Sequence, residues 1–254
     1  MGDLHGKTAL VTGSSRGIGR GIAQRLAQDG ALIAVHYGRN DAAAKETVES
    51  ITSAGGRAFP LRADLGISGD VEALFAAFDT ELAACGAEPG LDILVNNAAL
   101  NFPAHIDAVT YEEFDRTIAV NTRAPLFIIQ QGLRRMRDGG RIINISSAVT
   151  STAHPSQIAY SVSKGALETL THTLAKDVGA RGITVNTIAP GWVETDVTAE
   201  RRATPEGRAA LAAYSVFNRI GRPSDIADVA AFLASDASRW ITGQRFDVTG
   251  GSML

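Results

Sequence analysis

The chain has 254 residues, 45% of them hydrophobic and 20% charged, with a formal net charge of −3, a composition ordinary for a globular protein. That charge, with no lysine- or arginine-rich run, gives no electrostatic ground for nucleic-acid binding. Cys85 is the sole cysteine, which excludes an intrachain disulfide and a cysteine-built zinc site. No apolar run approaches the roughly 18 residues of a membrane span. Residues 1–6 lack the basic-then-apolar pattern of a secretory leader, and Gly2 is not followed by the hydroxyl residue that a myristoylation signal needs. A soluble, cytoplasmic protein with no membrane partner is expected.

Residues 7–12 read as a buried strand running into Gly13-Ser14-Ser15-Arg16-Gly17-Ile18-Gly19, with a helical pattern over 20–30. A second strand is expected over 32–37, a helix over 41–54, a strand over 57–62 and a helix over 68–84. After a loop at 85–90 come a buried strand at 91–95 and a helical stretch over 110–137, with Pro125 inside it as the expected kink. A strand at 141–145, a helix from Tyr160 to about 180 and a strand at 183–188 follow. Loop and short helices fill 193–222, a helix with proline in its first turn spans 223–234, and 244–248 form a last strand. Apolar strands alternating with helices, without a linker or a composition break, predict one α/β domain over 1–254. Its architecture is a Rossmann-like, doubly wound parallel sheet with helices on both faces.

Glycines between a first strand and a first helix let the backbone approach a pyrophosphate, and the helix N-terminus adds its N–H groups and dipole. The spacing of Gly13, Gly17 and Gly19 is wider than the usual dinucleotide fingerprint. A ligand-free glycine turn is the plainer alternative. Gly13-Ser14-Ser15-Arg16-Gly17 also spells a hydrolase nucleophile elbow. That reading needs a late loop histidine, and the last histidine, His172, falls on the predicted Tyr160 helix. The second strand ends His36-Tyr37-Gly38-Arg39-Asn40, without the carboxylate that bonds a ribose 2′-hydroxyl. Arg39 and Arg16 suit a 2′-phosphate instead, so NADP is favoured and NAD stays open.

Tyr160 and Lys164 lie four apart, on one face of a helix. A free phenol, with a pKa of about 10, is a poor acid or base at neutral pH. A neighbouring ammonium is expected to draw it down, by about three pKa units or roughly 4 kcal/mol if it is to work near pH 7.

Taken together, the glycine loop, Asn96-Asn97-Ala98-Ala99, Asn121, Ser147, Tyr160 with Lys164, and Pro190-Gly191 resemble the short-chain dehydrogenase/reductase family along nearly the whole chain. Within it, the sequence is similar to 3-oxoacyl-carrier-protein reductases and to sugar- or steroid-alcohol dehydrogenases. The resemblance implies a catalytic set in which Tyr160 passes the proton, Lys164 tunes it and bonds the nicotinamide ribose, and Ser147 holds the substrate oxygen. Asn121 would maintain a helix irregularity and a water relay. Gly13, Ser15, Arg16, Gly17, Ile18, Gly19 and Arg39 would bind the cofactor, with Asp64 at the adenine, Asn96 on the ribose side and Thr195 at the carboxamide. Leu65, Ala98, Pro190 and Gly191 complete that set, and no metal is expected. Ala99 departs from the family's usual glycine, which predicts a differently shaped loop.

The expected activity is hydride transfer between NADP(H) and a carbonyl or secondary alcohol, with a ketone or a 3-oxoacyl group reduced. The alternative is a catalytically idle cofactor-binding scaffold, which the retention of tyrosine, lysine and serine argues against. A metal hydrolase is disfavoured because five histidines are scattered without an H-E-x-x-H. Residues 100–108 and 191–217 should wall the substrate pocket, with Phe102, Trp192, Tyr214 and Phe217 as apolar lining. Arg201, Arg202, Arg208, His105 and His154 are further candidates there. The resemblance also implies a homotetramer or dimer, joined through the Tyr160 helix, its neighbour over 110–137 and the last strand.

Overall fold

The structure, a computed structural model, describes residues 3–252 and 254. Strands and helices alternate: β1 (Thr8–Val11), α1 (Gly17–Gln28), β2 (Leu32–Tyr37), α2 (Asp41–Ser53), β3 (Arg57–Arg62), α3 (Asp70–Ala84) and β4 (Leu91–Asn96). Then come α4 (Tyr111–Ile118), a π turn (Ala119–Arg123), α5 (Ala124–Leu133), β5 (Met136–Ile145), α6 (Ile158–Val178) and β6 (Thr184–Pro190). The chain closes with α7 (Pro205–Ala212), α8 (Pro223–Ala234) and β7 (Arg245–Val248).

The strands form one sheet in the order β3-β2-β1-β4-β5-β6-β7, every adjacent pair parallel. Apolar side chains on both faces of β1, β2, β4 and β6 are buried along the whole strand, because helices cover both sides. The edge strand β3 alternates between exposed and buried positions and accommodates Pro60, whose missing N–H is tolerable only at an edge. One core packs Ile22 and Leu26 of α1 with Ile226 and Ala230 of α8 onto the sheet. The other packs Phe75 and Phe78 of α3 with Ile128 of α5 and Val178 of α6. The strand order reverses direction between β1 and β4. The crevice at their carboxyl ends is where an open α/β sheet binds ligands.

Two predicted elements differ. The helical stretch over 110–137 breaks at Ala119–Arg123, ahead of Pro125, which sits in the first turn of α5 where its absent N–H costs nothing. The interruption is therefore a π turn centred on Asn121. β5 begins at Met136, earlier than predicted, and a register shift opposite Leu91 and Ile93 absorbs the Gly139-Gly140 pair.

Candidate active site

A cleft of about 1390 Å³ opens over the β1–β4 crevice and reaches to Trp192 and Tyr214. Its floor is the glycine loop. Gly13 and Gly17 have φ of +64° and +56°, a region where a side chain is strained. A Cβ on Gly19 would lie 2.5 Å from both Asn97 Nδ2 and Gly13 O. The loop is stapled to the end of β4: Thr12 Oγ1 accepts from the N–H groups of Asn97 at 2.9 Å and Ala98 at 3.0 Å. Asn97 Nδ2 returns bonds to Thr12 O and Gly13 O at 2.8 and 3.1 Å.

His36 supports the loop from behind, a role the sequence motifs do not announce. Its Nδ1 accepts from the Gly13 N–H at 3.0 Å, so its proton lies on Nε2, facing Ala63 O at 3.0 Å. The ring is 2% exposed, and burial pushes it down to about 4. The folded state therefore holds the neutral ring while the unfolded chain protonates near 6.5, and stability is lost as pH falls from about 6.5 towards 4. The full loss is about 3 kcal/mol. Urea midpoints at pH 7 and pH 4.5 should show a steeper acid loss for the wild type than for His36→Gln; parallel losses would refute this.

At the outer end, Arg39 pairs with Asp64 at 3.1 Å, and Arg116 approaches the same carboxylate at 3.7 Å. Arg16 stands 3.7 Å from Asp196. Both Arg16 and Arg39 are largely exposed and border the cleft, as do Ser15, Ile18, Leu65 and Ala98. The opposite wall carries Pro190, Gly191 and Thr195, whose methyl lies 3.3 Å from where a Gly17 Cβ would be. Asn96 is not in the cleft. It is buried, donating to Asn144 Oδ1 at 2.9 Å, because alternation along β4 turns it into the sheet layer while its neighbour Asn97 meets the loop.

At the inner end, Ser147, Tyr160 and Lys164 converge. Tyr160 is half-buried in the first turn of α6, beside Ser147 at the cleft's inner end. Lys164 is 2% exposed; its Nζ donates to Ile145 O at 2.7 Å and lies 5.6 Å from the Tyr160 ring centre. The expected depression of the phenol is not found in this arrangement. Burial pushes Tyr160 up to about 12 against the opposing Ser147 bond, and burial pulls Lys164 down to about 8 against the charge of Glu168. The ammonium spends its contact on a backbone carbonyl, so burial wins over attraction. Asn121 does not line the cleft. Its amide bonds Leu100 N and Leu100 O, each at 2.8 Å, and Ser163 Oγ at 3.0 Å, which pins the loop after β4 to α6.

Beyond them, Trp192 packs edge-on against His154, lies 6.1 Å from the Tyr214 ring and carries the Arg201 guanidinium 5.1 Å above it. Phe102 also lines the cleft, whereas Phe217 does not and is 69% exposed. Arg202 is taken up by Thr195 O and Thr198, Arg208 by Glu194, and His105 stays outside. Ala99 borders the cleft with ordinary backbone: among the described residues only Asn218 is a non-glycine with positive φ. Alanine in place of the family's glycine therefore imposes no strain there.

Residues 13–253 match the family described as enoyl-(acyl carrier protein) reductase. The versicolorin reductase stcU of Emericella nidulans is 41% identical over 98% of this chain and 96% of its own length. Among solved structures, the angucycline C-6 ketoreductase LanV with bound NADP is 50% identical, covers 100% of this chain and 98% of that one, and superposes with a TM-score of 0.95. The promiscuous reductase LugOII, which catalyses keto-reduction at C1 during lugdunomycin biosynthesis, is 52% identical over 99% of this chain and 100% of that one, with a TM-score of 0.96. With the sheet order, the glycine loop and the Ser147–Tyr160–Lys164 cluster, these likenesses place the chain in the short-chain dehydrogenase/reductase family.

Proposed function

We propose that the protein is an NADP-dependent ketone reductase acting on a carbonyl of a flat, polycyclic aromatic substrate, with the whole chain working as one cofactor-binding and catalytic domain. The observation that carries this reading is the convergence of Tyr160, Ser147 and Lys164 at the inner end of a cleft floored by a bare glycine loop. The chain fits the cofactor: the first N–H groups of α1 have no partner within the helix and open onto the cleft. Arg39 and Arg16 stand at the rim to meet a 2′-phosphate. The aromatic wall of Trp192, Tyr214 and His154 suits a planar ring system, in keeping with versicolorin and angucycline reductases among the relatives.

Bound in this cleft, NADPH would supply the hydride. Tyr160 gives its phenolic proton to the carbonyl oxygen, and the Ser147 hydroxyl donates to the same oxygen as charge develops there. A phenol held up near 12 is protonated at neutral pH, so the resting site stands in the form that reduction needs. Lys164 favours the phenolate left after transfer. Asn121 holds the π turn and ties the loop after β4 that frames this pocket to α6.

A panel of polycyclic quinones and aryl ketones, β-ketoacyl thioesters and secondary alcohols, followed by NADPH absorbance, tests the reading. Turnover confined to aliphatic thioesters would overturn the aromatic substrate, and turnover of none would overturn the activity. Arg39→Ala is expected to raise KM for NADPH at least about tenfold while leaving NADH kinetics within about twofold. Equal effects on the two cofactors would remove Arg39 from phosphate recognition. Among the described residues no helix is long and apolar enough to cross a membrane, and a cytoplasmic homo-oligomer, tetramer or dimer, is the reading we favour. Exposed Leu126 and Phe127 of α5 and Val162 of α6 offer the apolar contact; a monomeric mass in light scattering would refute it.

A further inference from the structure

Beneath the Ser147–Tyr160–Lys164 cluster lies a polar knot that no sequence motif includes. Glu168 stands one turn beyond Lys164 on the same face of α6, its side chain 20% exposed. Its Oε1 accepts from three donors on two other segments: the Ser146 hydroxyl at 2.6 Å and the Thr150 hydroxyl at 2.8 Å in the turn after β5, and Arg245 Nε at 3.1 Å. Arg245 also donates to Thr150 Oγ1 at 3.1 Å and pairs with Asp247 at 2.5 Å. Ser146 and Thr150 bracket Ser147, so one carboxylate fastens the turn carrying that serine to the helix carrying Tyr160 and Lys164. A short neutral side chain at 168 would leave the Ser146 and Thr150 hydroxyls without this acceptor and Arg245 with Asp247 as its remaining carboxylate partner.

We propose that Glu168 is a positioning residue of the active site, whose carboxylate locks the Ser147 turn onto α6 and sets a negative charge one helical turn from the Lys164 ammonium. Its effect on turnover rests on the reductase reading; its effect on Lys164 does not. The titratable groups nearest Glu168 along α6 are Lys164 one turn before it, Tyr160 two turns before it and the exposed His172 one turn after it, with Arg245 and Asp247 on β7. Arg116 of α4 borders the cleft but leans towards Asp64, while β5 and its following turn present only the hydroxyls of Ser146, Ser147 and Thr150. Burial already pulls Lys164 down to about 8, and Glu168 is the charge opposing that pull. Neutralising Glu168 therefore makes Lys164 lose its proton at lower pH; neutralising Arg245 unmasks the carboxylates and moves the loss to higher pH.

The chain contains four lysines, Lys7, Lys45, Lys164 and Lys176, few enough for ¹³Cε-lysine NMR on the full protein, with Lys164 assigned through Lys164→Met. The Lys164 titration midpoint is expected to fall by about one pH unit in Glu168→Gln and to rise in Arg245→Gln. Glu168→Asp, which keeps the charge and shortens the reach, should keep the midpoint near wild type while lowering kcat. In the active enzyme the alkaline limb of kcat/KM should move with the midpoint. A merely structural glutamate would lower activity without moving either. Midpoints in both neutral variants within about 0.2 pH units of wild type would overturn the proposal. If Glu168→Gln does not fold, an unmoved or lowered midpoint in Arg245→Gln does so alone. Should the wild type reduce no ketone at all, the titration is still read, and the two failures stay separate.

Discussion

Tyr160→Phe lowers kcat for ketone reduction by at least about a thousandfold while the dissociation constant for NADPH stays within about threefold. The change removes one oxygen and keeps the ring. α6 is anchored well away from that oxygen, by Asn121 on Ser163, by Lys164 on Ile145 O, and by Thr171 against Asn144 and Thr187. The floor of the cleft, where Thr12 and Asn97 hold the glycine loop, does not touch the phenol at all. What is lost is the proton donor, and general acid catalysis is worth about a hundred- to ten-thousandfold. Ser147 keeps its hydroxyl but cannot replace the phenol, since an aliphatic alcohol is a far weaker acid than a phenol. Steady-state NADPH absorbance gives the rate and quenching of the Trp192 region by titrated NADPH gives the affinity. Activity retained within tenfold would remove Tyr160 from the chemistry. Affinity lost in parallel with rate would make its role one of binding.

The parts of this site that could be read from the sequence are those whose chemistry depends on spacing along one element. Gly13, Gly17 and Gly19 occupy one strand–helix junction, and Tyr160 with Lys164 one helix face, so local geometry delivers them. His36, Asn97 and Glu168 escaped because their partners lie far along the chain. His36 meets Gly13 and Ala63 only once β1, β2 and β3 are side by side. Glu168 meets Arg245 only when β7 closes the sheet beside β6. Asn96 and Asn97 show the reverse difficulty: adjacent identical residues point to opposite sides of a strand end, and the motif does not say which one faces the loop. Pro125 is the expected helix breaker, although the irregularity sits at Asn121, whose amide is committed to Leu100 and Ser163. Spacing also does not disclose that burial pushes the phenol up in the free protein. It tells of an ammonium nearby but not that its Nζ donates to Ile145 O.

Gly19→Ala is expected to weaken NADPH binding at least about a hundredfold and to lower stability by about 1–3 kcal/mol, the usual cost of forcing a methyl into packed space. The added Cβ would lie 2.5 Å from Asn97 Nδ2, 2.5 Å from Gly13 O and 2.9 Å from Ser14 Cα. None of these can step aside cheaply. Asn97 Nδ2 is already donating to Thr12 O and Gly13 O, and Ser14 is held at both ends, by its N–H to His36 O at 2.9 Å and its hydroxyl to Val11 O at 2.7 Å. The loop therefore moves as a unit away from α1, opening the junction where the first N–H groups of the helix would meet a pyrophosphate. The two losses have one cause and should appear together, in a lower thermal midpoint and in a fluorescence titration with NADPH. Saturating NADPH restores the midpoint of the wild type more than that of the variant, because ligand stabilisation scales with the logarithm of concentration over Kd. A variant that melts lower yet binds NADPH with wild-type affinity would show that the loop can yield without disturbing the cofactor, and the glycine would then serve packing alone.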